Sequence, residues 1–81
     1  MYTMQITGDQ KTKSVIAGIV VLNSGNLTSR FSYTGQTLSF IFRYRSDARI
    51  ILRRVARSLR CQFSGDRLQH NGAELKIVKT N

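Results

Sequence analysis

The chain has 81 residues, with 13 Lys and Arg against 4 Asp and Glu, which gives a formal net charge of +9 at pH 7. This length suits one domain, residues 1–81, and the single cysteine, Cys61, excludes a disulfide framework. One cysteine and one histidine, His70, cannot supply the ligands of a zinc site, so we predict no metal and no cofactor. A charge this far from zero indicates an anionic partner.

The sequence carries no signal for a membrane or for export. The longest apolar stretch, residues 15–22, is much shorter than the roughly 20 residues that a membrane-spanning helix needs. It is also not preceded by a basic N-terminus and followed by a small-residue cleavage site in the order that a signal peptide has. Because an unpaired cysteine is typical of a reducing compartment, the sequence predicts a cytoplasmic protein without membrane contact.

The first third of the chain reads as two strands. Residues 2–7 alternate between apolar and polar, as in a strand with one buried face. Residues 8–13 are polar and predict a loop, while residues 14–22 are apolar on both faces and rich in β-branched side chains. That composition favours a strand covered on both faces, and a homodimer would supply the second cover. Residues 23–26 predict a turn.

Two further alternating segments, residues 27–33 and residues 37–45, predict another pair of strands. Their connection is too short for a crossover, so the strands should form an antiparallel meander. Their aromatic side chains alternate toward the inner face, except for Tyr44, which we place at the rim. This pattern argues against a sheet that displays aromatic rings for base stacking.

The period changes to that of a helix after residue 45, and the helix should end near Arg60 or Cys61. Ser46 or Asp47 can cap its first turn, because a short side-chain oxygen satisfies a free amide there. Apolar residues then recur at intervals of three and four, as in a helix that lies on a core. They are Ala48, Ile51, Leu52, Val55, Ala56 and Leu59.

The remainder reads as short strands joined by turns. Residues 67–70 and 73–79 alternate, and Asn71-Gly72 between them is a strong hairpin signal, because both residues tolerate positive φ. The predicted order is β-β-β-β-α-β-β. This is a two-layer α+β domain in which one long amphipathic basic helix packs on one face of an antiparallel sheet.

This order, a strand-rich half followed by an amphipathic helix, is loosely similar to that of two classes of protein. They are small transcriptional cofactors that bind single strands and the double-wing DNA-binding domains of phage regulators. The resemblance lies in the order of elements alone and assigns no site residue. Small, basic, proline-free domains are common products of phages and plasmids, which suggests such an origin.

More than half of the 13 cations are arginines that lie in residues 43–60. They are Arg43, Arg45, Arg49, Arg53, Arg54, Arg57 and Arg60. On a helical wheel, a stripe opposite the apolar face is formed by Arg49, Arg53, Arg57 and Arg60, and Arg54 flanks it. No acid lies between Ala48 and Gln62, so we predict an unneutralised band. Like charges at this spacing repel by a few tenths of a kcal/mol per pair, which a bound polyanion would relieve.

Guanidinium groups match the geometry of phosphate, which they bind through two parallel hydrogen bonds. The sequence therefore predicts a nucleic-acid-binding protein, for DNA or RNA, with a regulatory or architectural role. The stripe would hold phosphates, and Arg43, Arg45 and Arg54 would extend it. Lys11 and Lys13, in the predicted first loop, would add backbone contacts. Such contacts position a protein without reading sequence.

Other interpretations of the band stay open. It would also suit an interaction module or inhibitor that docks on an acidic protein, or it is a solvated basic face. A small RNase-type toxin using His70 is a third hypothesis, although the four acids form no pair and no nucleophile motif is present. We therefore predict no catalytic residue and no enzyme.

Overall fold

The computed structural model describes residues 1–25 and 28–80, without the side chains of residues 28–31 and residue 34. Within these residues, strands and helices alternate irregularly. The elements are β1 (Tyr2–Gly8), α1 (Gln10–Ser24), β2 (Thr28–Thr34), β3 (Thr37–Phe42), α2 (Arg45–Leu59), β4 (Phe63–Ser64), β5 (Arg67–His70) and β6 (Ala73–Lys79).

The strands form one sheet in the order β2-β3-β1-β6-β5-β4, and every neighbouring pair is antiparallel. Met4 in the centre of β1 pairs with Phe40 on one side and Ile77 on the other, and all three side chains are buried. Both helices pack on this inner face and complete a single hydrophobic core. The predicted two-layer α+β domain with an antiparallel sheet is confirmed.

The prediction of one helix is wrong, because residues 14–22 form most of α1 and residues 10–13 begin it. The Asp9 carboxylate caps α1 by accepting hydrogen bonds from the amide and hydroxyl of Thr12. The buried residues of α1 are spaced at three and four, as in a helix with one packed side. They are Lys13, Ile16, Val20 and Ser24. Packing of this side overrides the strand preference of the β-branched side chains.

The predicted turn at residues 23–26 is also wrong in its first half, because α1 continues to Ser24 and ends at Gly25 with φ 53°. The presence of α1 between β1 and β2 removes the order of elements on which the resemblance rested. Some residues used in the sequence interpretation lie outside the described residues. They are Asn26 and Leu27, together with the side chains of Arg30 and Phe31.

The start of α1 is joined to the β5–β6 hairpin. Gly8 has φ 109°, and a Cβ there would lie 2.3 Å from the carbonyl oxygen of Gly72, so the position requires glycine. The Asp9 amide donates to the same carbonyl at 3.0 Å. The predicted hairpin turn is confirmed, with φ 47° at Asn71 and 82° at Gly72.

The second helix is present as predicted, with altered boundaries. The strand predicted for residues 37–45 ends at Phe42, and α2 begins at Arg45. Its N-cap is Tyr44, which makes no side-chain cap hydrogen bond, so the predicted cap is wrong. Asp47 lies instead in the first turn, where its charge faces the positive end of the helix dipole. The buried face is confirmed at Ala48, Ile51, Leu52, Val55 and Ala56.

Candidate nucleic-acid interface

The outer face of α2 carries the arginines that the helical wheel places opposite the core. Arg53 and Arg57 are exposed one helical turn apart, and Arg60 is exposed where the helix ends. Because Leu52, Val55 and Ala56 are held in the core, the side chains between them point to solvent. The packing of α2 on the core therefore fixes the direction of these arginine side chains. The side chains themselves make no ion pair or hydrogen bond among the described residues.

The N-terminal end of the band is not free of acids, which corrects the prediction of an unneutralised band. Asp66, in the turn between β4 and β5, accepts from Arg45 Nε at 3.0 Å and lies 2.8 Å from Arg45 Nη2. Its other carboxylate oxygen lies 3.6 Å from Arg49 Nε. One carboxylate thus offsets part of the charge of two arginines. Asp66 follows Arg49 by 17 positions, so only the tertiary fold brings them together.

The Arg49–Asp66 contact is an ion pair without a hydrogen bond. Arg49 Nε and Asp66 Oδ1 are both buried atoms without a hydrogen-bond partner among the described residues. Arg49 also lines a shallow groove of about 400 Å³, together with Arg45, Ser46, Ile50 and Arg53. The groove combines cationic walls with the partly exposed side chain of Ile50, a mixture that suits an anionic group carrying some apolar surface.

Arg54 connects the two helices. Its Nη1 donates to the carbonyl oxygen of Asn23 at 3.1 Å. Asn23 lies in the last turn of α1, where carbonyl groups lack partners within the helix and the dipole is negative. Arg54 therefore stabilises the end of α1, a role that the helical wheel does not predict.

Arg60 occupies a backbone conformation that favours glycine. Its φ and ψ are 53° and 44°, in the left-handed region. The Arg60 amide donates to Arg57 O at 3.2 Å and the Cys61 amide to Ala56 O at 3.0 Å, which is the hydrogen-bond pattern of a Schellman motif. A non-glycine residue in this region costs about 1 kcal/mol. The chain thus carries a guanidinium at a position where glycine would be more stable.

Within residues 1–25 and 28–80, four arginines make neither an ion pair nor a side-chain hydrogen bond. They are Arg43, Arg53, Arg57 and Arg60. Arg43 is exposed just before α2, and the other three lie on its C-terminal half. Of the four acids in the chain, Asp66 and Glu74 pair with Arg45, Arg49 and Arg67 instead. Three of these four unpaired arginines therefore lie toward the C-terminal end of α2.

The two lysines predicted to line a first loop lie in α1 instead. Lys11 is exposed, whereas Lys13 is only 1 % exposed. The Lys13 ammonium donates to the carbonyl oxygen of Gln36 and lies 5.8 Å from the centre of the Tyr33 ring. Its charge is satisfied inside the chain, so Lys13 is not available to a phosphate in this arrangement. The loop prediction for both residues is wrong.

The aromatic side chains divide between core and surface. Phe40 and Phe42 are buried, as predicted, and Tyr44 is exposed beside Arg43 and Arg45. Tyr33 shares the inner face of the sheet with Leu38, but it lies on the edge strand β2 and is exposed. Sequence alternation predicts the face of the sheet correctly but not its edge, where the Lys13 side chain of α1 lies over the Tyr33 ring and still leaves it 52 % exposed.

The remaining reactive side chains lie apart. Burial raises the pKa of the Cys61 thiol, which favours the protonated form. His70 contacts the Asn71 side chain at 3.2 Å, beside an open hollow of about 610 Å³ that carries no Lys or Arg. Among the described residues, no three His, Cys, Asp or Glu side chains come together as in a metal site.

Comparisons of the chain with protein-family models, with curated proteins and with solved structures found no match. Within the described residues, neither helix has the length and apolar character needed to cross a membrane. The outer face of α2 is therefore interpreted from its own geometry and charge.

Proposed function

We propose that this chain is a non-catalytic nucleic-acid-binding protein of the cytoplasm, with a regulatory or architectural role. The observation that carries the proposal is the group of exposed arginines Arg53, Arg57 and Arg60, which have no acidic partner among the described residues. We call these three residues the free arginines. They would contact consecutive phosphates, and Arg43 would extend the contact past the other end of α2.

The charges of the free arginines are not neutralised by any acid among the described residues. Each is a planar donor group of fixed charge that repels its neighbours one turn away. A phosphate backbone would replace this repulsion by attraction and release condensed counterions. Asp66 limits the effect at Arg45 and Arg49, so the strongest contacts should lie at the C-terminal half of α2.

The backbone conformation of Arg60 supports the proposal independently of its charge. Its left-handed backbone disfavours any residue with a side chain, so the side chain is present in spite of the conformation. A guanidinium at this position continues the row of Arg53 and Arg57 beyond the last turn. Backbone strain of this kind often accompanies a functional side chain.

The test is a titration of the purified chain with duplex DNA, single-stranded DNA and RNA at low salt. We expect binding to at least one of them, and weaker binding of the variant Arg53→Gln/Arg57→Gln/Arg60→Gln. The matched control is Lys11→Gln/Lys76→Gln/Lys79→Gln, which removes the same charge outside α2. Absence of binding by the wild-type chain at low salt, or equal loss in both variants, would contradict the proposal.

An acidic protein is the second candidate partner. The groove lined by Arg45, Arg49 and Arg53 favours it, because Ile50 adds an apolar surface to the lining. In that case replacement of Ile50 by Gln would weaken binding to the protein partner. A nucleic acid held only by phosphate contacts would be insensitive to the same change.

A further inference from the structure

The outer face of α1 is largely apolar, and within the described residues it stays exposed. Val15 is 51 % exposed, Val21 63 % and Leu22 85 %. On the opposite side of the same helix, Ile16 and Val20 are fully buried. A helix with apolar side chains on two opposite sides is typical of a protein interior, and among the described residues only one of these sides is covered.

Gly18 lies at the centre of this outer face. A glycine inside a helix destabilises it relative to alanine, so its presence needs a reason. A Cβ at Gly18 would meet nothing within 4 Å, so packing within the chain does not require glycine. Close approach of a second backbone would require it.

From these observations we propose that the chain forms a symmetric homodimer in which two α1 helices cross antiparallel at Gly18. Exposed residues lie three, four and seven positions before Gly18 and at the same distances after it. The face can therefore pack against the same face of a second copy that runs in the opposite direction. The exposed residues before Gly18 are Val15, Ser14 and Lys11, and those after it are Val21, Leu22 and Gly25. An antiparallel crossing places Val15 of one copy against Val21 of the other, as a twofold interface demands.

The charges of this face also match a second copy. Lys11 is its one charged residue, and it lies at the N-terminal end of α1. In an antiparallel pair, each Lys11 lies beside the C-terminal end of the other α1. That end carries the negative end of the helix dipole and has no basic residue in its own last turn, and Arg54 donates to one of its carbonyl groups, that of Asn23. A parallel pair would bring the two lysines together.

A second copy fits better than the other occupants of an apolar helix face. An acidic protein would find one cation there, and an anionic membrane surface favours helices whose polar face is rich in Lys and Arg. The interface is one helix of 15 residues, which offers less than the roughly 800 Å² per partner of a standard complex. We therefore expect a dimer that forms with concentration, and not an obligate one.

The dimer does not depend on the proposed nucleic-acid binding, and the effect of salt distinguishes the two. Two copies with a net charge of +9 repel each other, and salt screens that repulsion, so high salt should strengthen the dimer. The same salt should weaken phosphate binding. Either proposal can fail while the other stands.

The main experiment is sedimentation velocity of the wild-type chain in high salt, from micromolar to millimolar concentration. We expect a shift from monomer to dimer that is lost in Leu22→Glu. The matched control is Phe63→Glu, which makes the same change at a partly exposed apolar residue of the edge strand β4 and should dimerise normally. A wild-type chain that stays monomeric throughout, or equal dimerisation of Leu22→Glu, would overturn the proposal. So would a monomer that binds anionic lipid vesicles through Leu22.

Gly18→Gln tests the crossing point without a change of charge. The longer side chain has open space in the monomer and suits a helix, so the monomer should melt at a higher temperature. The same side chain would separate the two helices, and dimerisation should fall at least tenfold. Higher thermal stability with unchanged dimerisation would place the interface elsewhere.

Cysteine pairing tests the direction of the crossing in a Cys61→Ser background. Val15→Cys mixed with Val21→Cys should form a mixed disulfide between two copies on mild oxidation. Disulfides formed by Val15→Cys alone, at the expense of the mixed species, would contradict the antiparallel arrangement. Circular dichroism of each variant checks that the monomer is folded.

Discussion

The two helices share a length of 15 residues and a face of the sheet, but their outer surfaces differ completely. The outer surface of α2 carries arginines, with Ile50 partly exposed among them, whereas that of α1 carries Val15, Val21 and Leu22. Both inner faces place aliphatic side chains in the core, and that of α1 also buries Lys13 and Ser24. Packing on the sheet thus explains the residues on the inner side of both helices. The residues on the outer side must be explained by the partners that they bind.

This difference also explains why the sequence predicts α2 as a helix but does not predict α1. Apolar positions in α2 recur at intervals of three and four and alternate with arginine, so its period is visible. In α1 both faces are apolar, so the inner residues Ile16 and Val20 do not stand out from the outer ones. Periodicity alone cannot distinguish such a segment from a buried strand.

The largest expected effects come from the inner faces. Ile16→Ala in α1 and Leu52→Ala in α2 should each lower the free energy of unfolding by about 2–5 kcal/mol, because each leaves a cavity in the core. Leu22→Ala should change it by less than about 0.5 kcal/mol, since the side chain is exposed in the monomer. Urea unfolding at low protein concentration measures all three. A cost for Leu22→Ala equal to that of Ile16→Ala would mean that the chain itself covers the outer face of α1.

The next effect concerns the carboxylate that neutralises one end of the arginine band. Asp66→Asn removes the partner of Arg45 and Arg49, which should cost at most about 1 kcal/mol of stability because Arg45 is half-exposed. Both arginines would then be available to phosphates. We expect tighter nucleic-acid binding and a steeper salt dependence, by about 0.9 for each added phosphate contact on a duplex. Weaker binding would indicate that Asp66 orients these arginines instead of competing for them.

Arg60→Gly should separate stability from binding. Glycine relieves the left-handed strain, so we expect a gain of about 1 kcal/mol in the free energy of unfolding. The loss of the guanidinium should at the same time weaken nucleic-acid binding and reduce the salt slope by roughly one unit. Thermal melts and titrations of the same preparation measure both. A more stable variant with unchanged affinity would remove Arg60 from the interface.

The smallest effect is expected at the cap of α1. Hydrogen bonds from the amide and hydroxyl of Thr12 hold the pKa of Asp9 below its ordinary value of 3.8. Because the folded pKa is the lower one, the unfolded chain takes up this proton first as the pH falls. The stabilisation is therefore present above pH 3.8 and is lost as the pH falls through the folded value.

The variant Asp9→Asn keeps an oxygen for the cap and does not titrate there. Its thermal stability should fall less steeply than that of the wild-type chain as the pH decreases from neutral into this range. Parallel acid profiles of the two chains would show that the cap contributes nothing to the acid sensitivity of α1.

The sequence predicted the α+β class, the antiparallel sheet, α2 with its buried face and the direction of its arginines. Each of these follows from local periodicity or turn chemistry. The sequence does not predict the partners of the arginines. Asp66 reaches Arg45 and Arg49 only through the tertiary fold, and so does Arg54 when it reaches Asn23. The burial of Lys13 was missed for the same reason, since its contacts lie in the β2–β3 turn and on Tyr33.

The most direct test of the nucleic-acid proposal is the salt slope of binding, measured for the wild-type chain, the free-arginine triple variant and the matched lysine triple variant. On a duplex each phosphate contact contributes about 0.9 to the slope of log K against log salt. We expect the free-arginine variant to lose between two and three units and the lysine variant to keep the wild-type slope. Equal slopes in the two variants would contradict a phosphate site on the outer face of α2.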